Sequence, residues 1–144
     1  MALDGEYEPS PSEWVRKQVT TYEATGGQQR NTIQGRPIVV ITSRGAKSGK
    51  LRKNPVMRVE HDGVYAAVAS KGGASTDPKW AHNLRADPHV DLQDGPAPAP
   101  YVARLIEGAE RVVWWERAVA AFPTYAGYQV KTDRVIPVFL LERG

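Results

Sequence analysis

The sequence, 144 residues long, contains no cysteine. That absence excludes disulfides, thiolate nucleophiles, cysteine-ligated zinc, iron–sulfur clusters and dithiol redox motifs. Histidine is scarce. His61, His82 and His89 are the only three, and their spacing matches no metal-ligand pattern, so no metal site is expected. No apolar run approaches the ~20 residues that span a bilayer. The opening MALDGEYEPSPSEW carries early acids and no apolar stretch, so it does not read as a secretory signal. A cytoplasmic protein is the default expectation. There is no Gly-x-Ser-x-Gly elbow, and no spacing singles out a carboxylate pair for acid–base work.

Acidic residues are missing from one long stretch. Residues 24–59 hold no Asp or Glu, yet they hold Arg30, Arg36, Arg44, Lys47, Lys50, Arg52, Lys53 and Arg58. The rest of the chain has 11 basic residues against 16 acidic, a net of −5. The formal charge of +3 is therefore the sum of a mildly acidic body and one basic segment. Such a segment raises the local concentration of anions. Its ordinary alternative is a solvated basic face.

With 41% hydrophobic and 24% charged residues, the chain can build a core of its own. Its length suits one domain over residues 1–144, with residues 1–30 as a helical extension packed on it. Ser10 reads as a helix N-cap, with Pro11 in the first turn and Glu13 closing a capping box. Trp14, Val15, Gln18, Val19 and Tyr22 then share one face, which docks on the body or, more weakly, rests on a membrane. Gly26 and Gly27 end that helix.

Residues 37–42 (PIVVIT) form a β-branched strand, residues 51–60 a second and residues 64–70 a third. Asp62-Gly63 makes the hairpin between the last two. A short helix follows Asp77-Pro78, with Trp80, Ala81 and Leu84 inward, and stops at Asp87-Pro88. Further strands are expected over residues 89–93, 101–106 and 135–141. A helix over residues 110–121 points Val113, Trp114, Ala118 and Ala121 inward. Residues 122–128 read as an aromatic segment broken by proline and glycine. Six mostly antiparallel strands with three helices argue for an α+β protein on a barrel-like sheet.

Two loops carry the chemistry. Arg44-Gly45-Ala46-Lys47-Ser48-Gly49 combines glycines, a hydroxyl and cations, the composition of an anion cradle, without the Walker order. Ser70-Lys71-Gly72-Gly73 can bring amides and a cation to a flat ligand. Trp80 and Asn83 lie three apart on one helix, as do Tyr125 and Tyr128 in the aromatic segment. Core packing is the plainer reading for Trp80, and half-buried surface aromatics for the tyrosines. A chain with so few acid–base groups suits chemistry carried by a cofactor.

Four blocks in order, residues 42–55 (TSRGAKSGKLRKNP), 70–73 (SKGG), 78–88 (PKWAHNLRADP) and 122–137 (FPTYAGYQVKTDRVIP), resemble the deazaflavin-dependent nitroreductase family of the flavin/deazaflavin oxidoreductase superfamily. The resemblance covers residues 37–141. It implies a split β-barrel related to FMN-binding folds, and reduced coenzyme F-420 as the hydride donor. It also implies electron-poor substrates: quinones, nitroaromatics, or coumarin- and aflatoxin-type unsaturated lactones. By the same resemblance Lys47, Ser48 and Arg52 hold the cofactor phosphate. Lys50 or Lys53 guides its oligoglutamate tail, and Asn54 and Pro55 complete that block. Ser70, Lys71, Gly72 and Gly73 border the ring, supported by Trp80 and Asn83. Tyr125, Tyr128 and Ser70 face the reacting groups. The first block departs from the family pattern at Ala46, where many relatives carry a basic residue and Arg44 is the candidate replacement. The aromatic segment departs at Phe122, often Tyr. An FMN-binding reductase of the same fold is the alternative. A nucleic-acid module is disfavoured, because residues 24–59 contain no aromatic to stack on a base. The expected partner is a small electron-poor molecule. The expected state is a monomer in the cytoplasm, with weak contact at the inner membrane face through the N-terminal helix.

Overall fold

The computed structural model describes residues 3–144. The first helix, α1, spans Glu13–Ala24, and its N-cap is Ser12 rather than Ser10. The Ser12 hydroxyl accepts the Val15 N–H at 3.3 Å. Ser10 instead accepts the Ser12 N–H and offers its carbonyl to Arg16. Glu13 pairs with Lys17 one turn on, so it closes no capping box. Gln18, Val19 and Tyr22 are buried, while Trp14 stays exposed. The Tyr22 hydroxyl donates to the Gln93 carbonyl and accepts the Gly95 N–H. Gln18 donates to the Arg30 and Thr32 carbonyls. Gln18, Val19 and Tyr22 of that face thus dock on the sheet, and Trp14 stays at the surface. Among the described residues no helix is long and apolar enough to cross a membrane. Gly27 must be glycine: its φ is +80°, and a Cβ there would lie 2.8 Å from Gly95 Cα.

The strands are β1 (Thr32–Ile33), β2 (Arg36–Arg44), β3 (Leu51–Met57), β4 (Glu60–His61), β5 (Val64–Val68), β6 (His89–Gln93), β7 (Pro98–Leu105) and β8 (Val138–Arg143). Two of these have only two residues; the other six are the strands expected from the sequence. All pairings between them are antiparallel. The order is β1-β2-β6-β7-β8-β5-β4, with β3 also paired to β2. Just past β3, the Val59 carbonyl accepts the Ala66 N–H of β5 at 2.9 Å. β3, paired with β2, leads into β4 on the β5 edge and contacts β5, so the sheet curls round, and the result is an α+β split β-barrel.

Both faces of the barrel wall are covered. Val39 and Ile41 of β2, Ala67 of β5, and Phe139 and Leu141 of β8 pack with Trp80, Ala81 and Leu84 of α2 (Lys79–Ala86). Their neighbours Ile38, Val40, Ala66, Val68, Val138 and Leu140 pack with α1, α3 (Gly108–Ala121) and α4 (Thr124–Lys131). This two-sided burial is why these strands read as unbroken apolar runs.

Three expectations change. Among the described residues there are four α-helices, because residues 124–131 form α4 despite Gly127. Pro123 stands just ahead of its first turn, where no N–H is needed, and burial of Phe122 and Tyr125 outweighs the ~1 kcal/mol a helical glycine costs. Val113 is exposed, and only Trp114 and Ala118 of α3 are fully buried. β7 begins at Pro98 and contains Pro100. β8 ends at Arg143, opposite Tyr101, so these prolines lie where β7 has no strand on that side.

Candidate functional site

A cleft of about 230 Å³ opens beside the barrel. One wall is the end of β3 (Pro55, Val56, Met57), joined by Ile33 and Gln34 of the β1–β2 hairpin. The opposite wall is the loop after β5 (Ser70, Lys71, Gly72), with Pro78 and Trp80 beyond it. Phe122, Tyr125 and Tyr128 close the remaining side. Those three rings contact one another, with centroids 5.0 Å apart for Phe122 and Tyr125 and 6.2 Å for each other pair. Trp80 is both core and wall. It packs edge-on against Phe139 and still reaches the cleft.

Burial, and then the neighbouring Tyr128 phenol, push the Tyr125 hydroxyl well above the ordinary tyrosine range. Burial and the Asp94 carboxylate do the same to Tyr65. Both phenols are therefore neutral at any physiological pH. A folded pKa above the unfolded value of ~10 stabilises the fold at lower pH and loses that contribution as pH rises. The contribution of these two phenols should thus be flat up to about pH 10 and fall above it. Tyr125→Phe should make an alkaline melting series less steep.

The loop after β5 is built on left-handed backbone. Lys71, Gly72 and Gly73 have φ of +46°, +64° and +81° in succession. A Cβ on Gly73 would lie 2.8 Å from the Tyr128 carbonyl oxygen, so this glycine lets the loop seat directly on α4. Lys131 adds a contact to the Gly72 carbonyl.

The glycine loop between β2 and β3 folds on itself through Gly45 N–H to Lys50 O (2.8 Å) and Gly49 N–H to Gly45 O (3.0 Å). The Ser48 hydroxyl accepts the Lys50 N–H. Asn83 anchors the loop to α2, accepting the Ala46 N–H at 2.9 Å and donating to the Ser43 hydroxyl. Asn83→Ala would leave the Ala46 amide without its partner. It should cost about 1–3 kcal/mol of stability in a denaturant titration, since a half-buried donor is left unmade.

The basic segment is largely paired. Arg52 forms an ion pair with Glu8, Lys53 meets Glu23 at 2.6 Å, and Lys50 approaches Glu6 at 3.8 Å. The N-terminal residues are held there by Glu8 N–H to Leu51 O and Leu51 N–H to Glu6 O. Arg44, the candidate replacement for the missing cation at Ala46, is engaged within the chain. Its guanidinium donates to the Gly49 and Asp4 carbonyls and faces Asp87. Of the cations in this loop and along β3, Lys47 alone has no partner among the described residues.

The structure therefore brings Pro55, Ser70, Lys71, Gly72, Trp80, Tyr125 and Tyr128 to one cleft. Lys47, Ser48, Lys50, Arg52, Asn54 and Asn83 lie off it, along β3 and the glycine loop, and Gly73 packs behind it. Sequence reasoning missed Ile33, Gln34, Val56, Met57, Val68, Pro78 and Phe122 as wall residues. A signal for the first two was present. Gln34 and Gly35 both have positive φ, a two-residue hairpin turn, but Gln-Gly is a weaker cue than Asn-Gly.

The sequence profile of the family described as F420H(2)-dependent quinone reductase matches residues 14–143. The chain belongs to that family. It is an oxidoreductase, and its cofactor is reduced coenzyme F-420 rather than the FMN kept as the alternative. An F420H(2)-dependent quinone reductase of Mycobacterium tuberculosis is 31% identical over 126 residues, covering 85% of each chain. A solved structure described as an F420-H2 dependent reductase is 56% identical. It superposes with a TM-score of 0.70 over 74% of this chain and 95% of its own. A second, described as a domain-swapped dimer, is 51% identical with a TM-score of 0.73, covering 92% of this chain and 100% of its own. The preference for a monomer does not fit that relative.

Proposed function

We propose that the cleft holds the deazaflavin ring and an electron-poor acceptor together, and that quinones are the main acceptors. The observation that carries this reading is a single cleft lined by both the Ser70-Lys71-Gly72 loop and the three rings of Phe122, Tyr125 and Tyr128. The residues fit the group. A ring-lined slot with both polar and apolar walls suits a flat heterocycle with a polar edge, and an unpaired Lys47 beside glycine-loop amides suits a phosphate. Lys50, Arg52 and Lys53 already hold carboxylates, the chemistry that an oligoglutamate tail presents. A tail seated there exchanges with Glu6, Glu8 or Glu23. Asn54 and Pro55 carry the strand from that strip to the ring.

When bound, the reduced deazaflavin supplies a hydride. The chain supplies proximity and a dry wall. The buried, neutral Tyr125 hydroxyl can donate a hydrogen bond to an acceptor oxygen, with Tyr128 and the Ser70 hydroxyl beside it, and the proton that completes the reduction comes from solvent. Nitroaromatics and unsaturated lactones share the flat, electron-poor character of a quinone and enter as secondary acceptors. The proposal includes a single folding unit over residues 1–144, which predicts one cooperative melt.

The test mixes purified protein with reduced deazaflavin, alone and with a quinone, a nitroaromatic or a lactone. Loss of the reduced cofactor only when acceptor is present is the expected result. Turnover of the lactone alone would overturn the quinone assignment, and absence of deazaflavin binding would overturn the site.

A further inference from the structure

Arg134 lies in the fourth of the sequence blocks and outside the cleft. Its side chain is 16% exposed. All four of its acceptors lie within residues 69–77. Nε donates to the Ala74 carbonyl (2.8 Å), and Nη2 donates to the Ser70 (2.8 Å) and Ala69 (3.2 Å) carbonyls. Nη1 donates to the Asp77 carboxylate (2.7 Å), which Arg85 of α2 holds from its other oxygen. One guanidinium thus grips the chain on both sides of the left-handed run Lys71-Gly72-Gly73.

The grip has a directional result. In a trans peptide the N–H points opposite to the C=O of the same plane, and the chain has no cis bonds among the described residues. With the Ala69 and Ser70 carbonyls turned onto Arg134, the N–H groups of Ser70 and Lys71 point away from it. Both residues line the cleft. Ser70 is right-handed (φ −75°, ψ −38°) and Lys71 left-handed, the succession that makes consecutive N–H groups converge on a concave side. Neither N–H has an acceptor among the described residues.

We infer that Arg134 is a positioning residue for the cofactor ring: by holding the carbonyls behind the loop, it aims the Ser70 and Lys71 amides into the cleft as a paired donor for a ring-edge carbonyl oxygen. This inference rests on the cleft being the deazaflavin site. Lysine cannot take its place, because a single ammonium does not span acceptors on both sides of the turn.

The test compares Arg134→Ala and Arg134→Lys with the wild type in three measurements. These are thermal melting, fluorescence titration with oxidised deazaflavin in the absence of acceptor, and the quinone KM. A folded Arg134→Ala should bind deazaflavin about tenfold more weakly, the loss expected for two misaimed hydrogen bonds. Arg134→Lys should recover only part of that, and the quinone KM should stay within about twofold. Unchanged deazaflavin binding in a folded variant overturns the inference, and so does a quinone KM that rises in step with it. Should Arg134→Ala melt below the assay temperature, Asp77→Asn decides. It removes the charge that anchors the guanidinium, and unchanged cofactor binding overturns the inference there too. A wild type that binds no deazaflavin overturns the site itself, whereas normal wild-type binding with unaffected variants overturns only the role of Arg134.

Discussion

Replacing Gly73 by valine should lower stability by about 2–4 kcal/mol, a melting shift on the order of 10 °C for a chain of this size. Two costs combine. The residue sits at φ +81°, where an L side chain is strained by roughly 1–2 kcal/mol. Its Cβ would also fall 2.8 Å from the Tyr128 carbonyl oxygen and 3.1 Å from Tyr128 Cα. Those atoms are backbone and cannot rotate aside, so the loop or α4 has to move. Either movement separates the two walls of the cleft. Gly72→Ala is the matched control. Its φ of +64° carries the same kind of strain, but its Cβ would meet nothing within 4 Å. It should lose only about 1 kcal/mol. Equal losses at the two positions would show that conformational strain, and not the close approach to α4, sets the cost.

The second large effect is expected at Lys47. Lys47→Glu removes a charge-assisted contact and adds a repulsion, so deazaflavin affinity should fall about 100-fold, or near 3 kcal/mol. The loss should shrink as salt is raised, since an exposed charge is screened. Arg52→Ala should do less harm, because it deletes an attraction that Glu8 already satisfies and frees that carboxylate at the same time. Glu8→Gln should go the other way and tighten binding a few-fold. Titration of the four proteins at low and high salt checks the order. If Arg52→Ala costs more than Lys47→Glu, the phosphate lies on β3 and not at the loop.

Much of this was legible in the linear sequence. β2, β5 and β8 announced themselves because both their faces are buried, which leaves no polar alternation to confuse the reading. The turn at Asp62-Gly63 was equally plain, since both residues have positive φ. What failed was long-range information. Charge counted along the chain makes residues 24–59 an open basic strip, but Glu8 reaches Arg52 across 44 positions and Glu23 reaches Lys53 across 30. α4 was hidden for the same reason. Proline and glycine speak for a break in residues 122–128, while the ring contacts that favour the helix only exist once α3 and α4 have met. Of the site, the loop at Ser70 and the two tyrosines could be named from residue type. Ile33 and Gln34 were marked only by the weak turn cue Gln34-Gly35, because a two-residue strand leaves almost no pattern. Arg134 has no legible role in the sequence of residues 122–137, because its four acceptors become neighbours only in the fold.

Trp80 and Asn83 sit on the same helical turn of α2. One faces the cleft and the other fastens the glycine loop. A single rigid rod therefore sets the separation between the cleft and the glycine loop. With the ring and the phosphate where we propose them, the protein would work as a pair of calipers that gauges how far apart a ligand carries its aromatic end and its charged end. A flavin-like molecule with a shorter or longer spacer can satisfy either jaw, but not both at once.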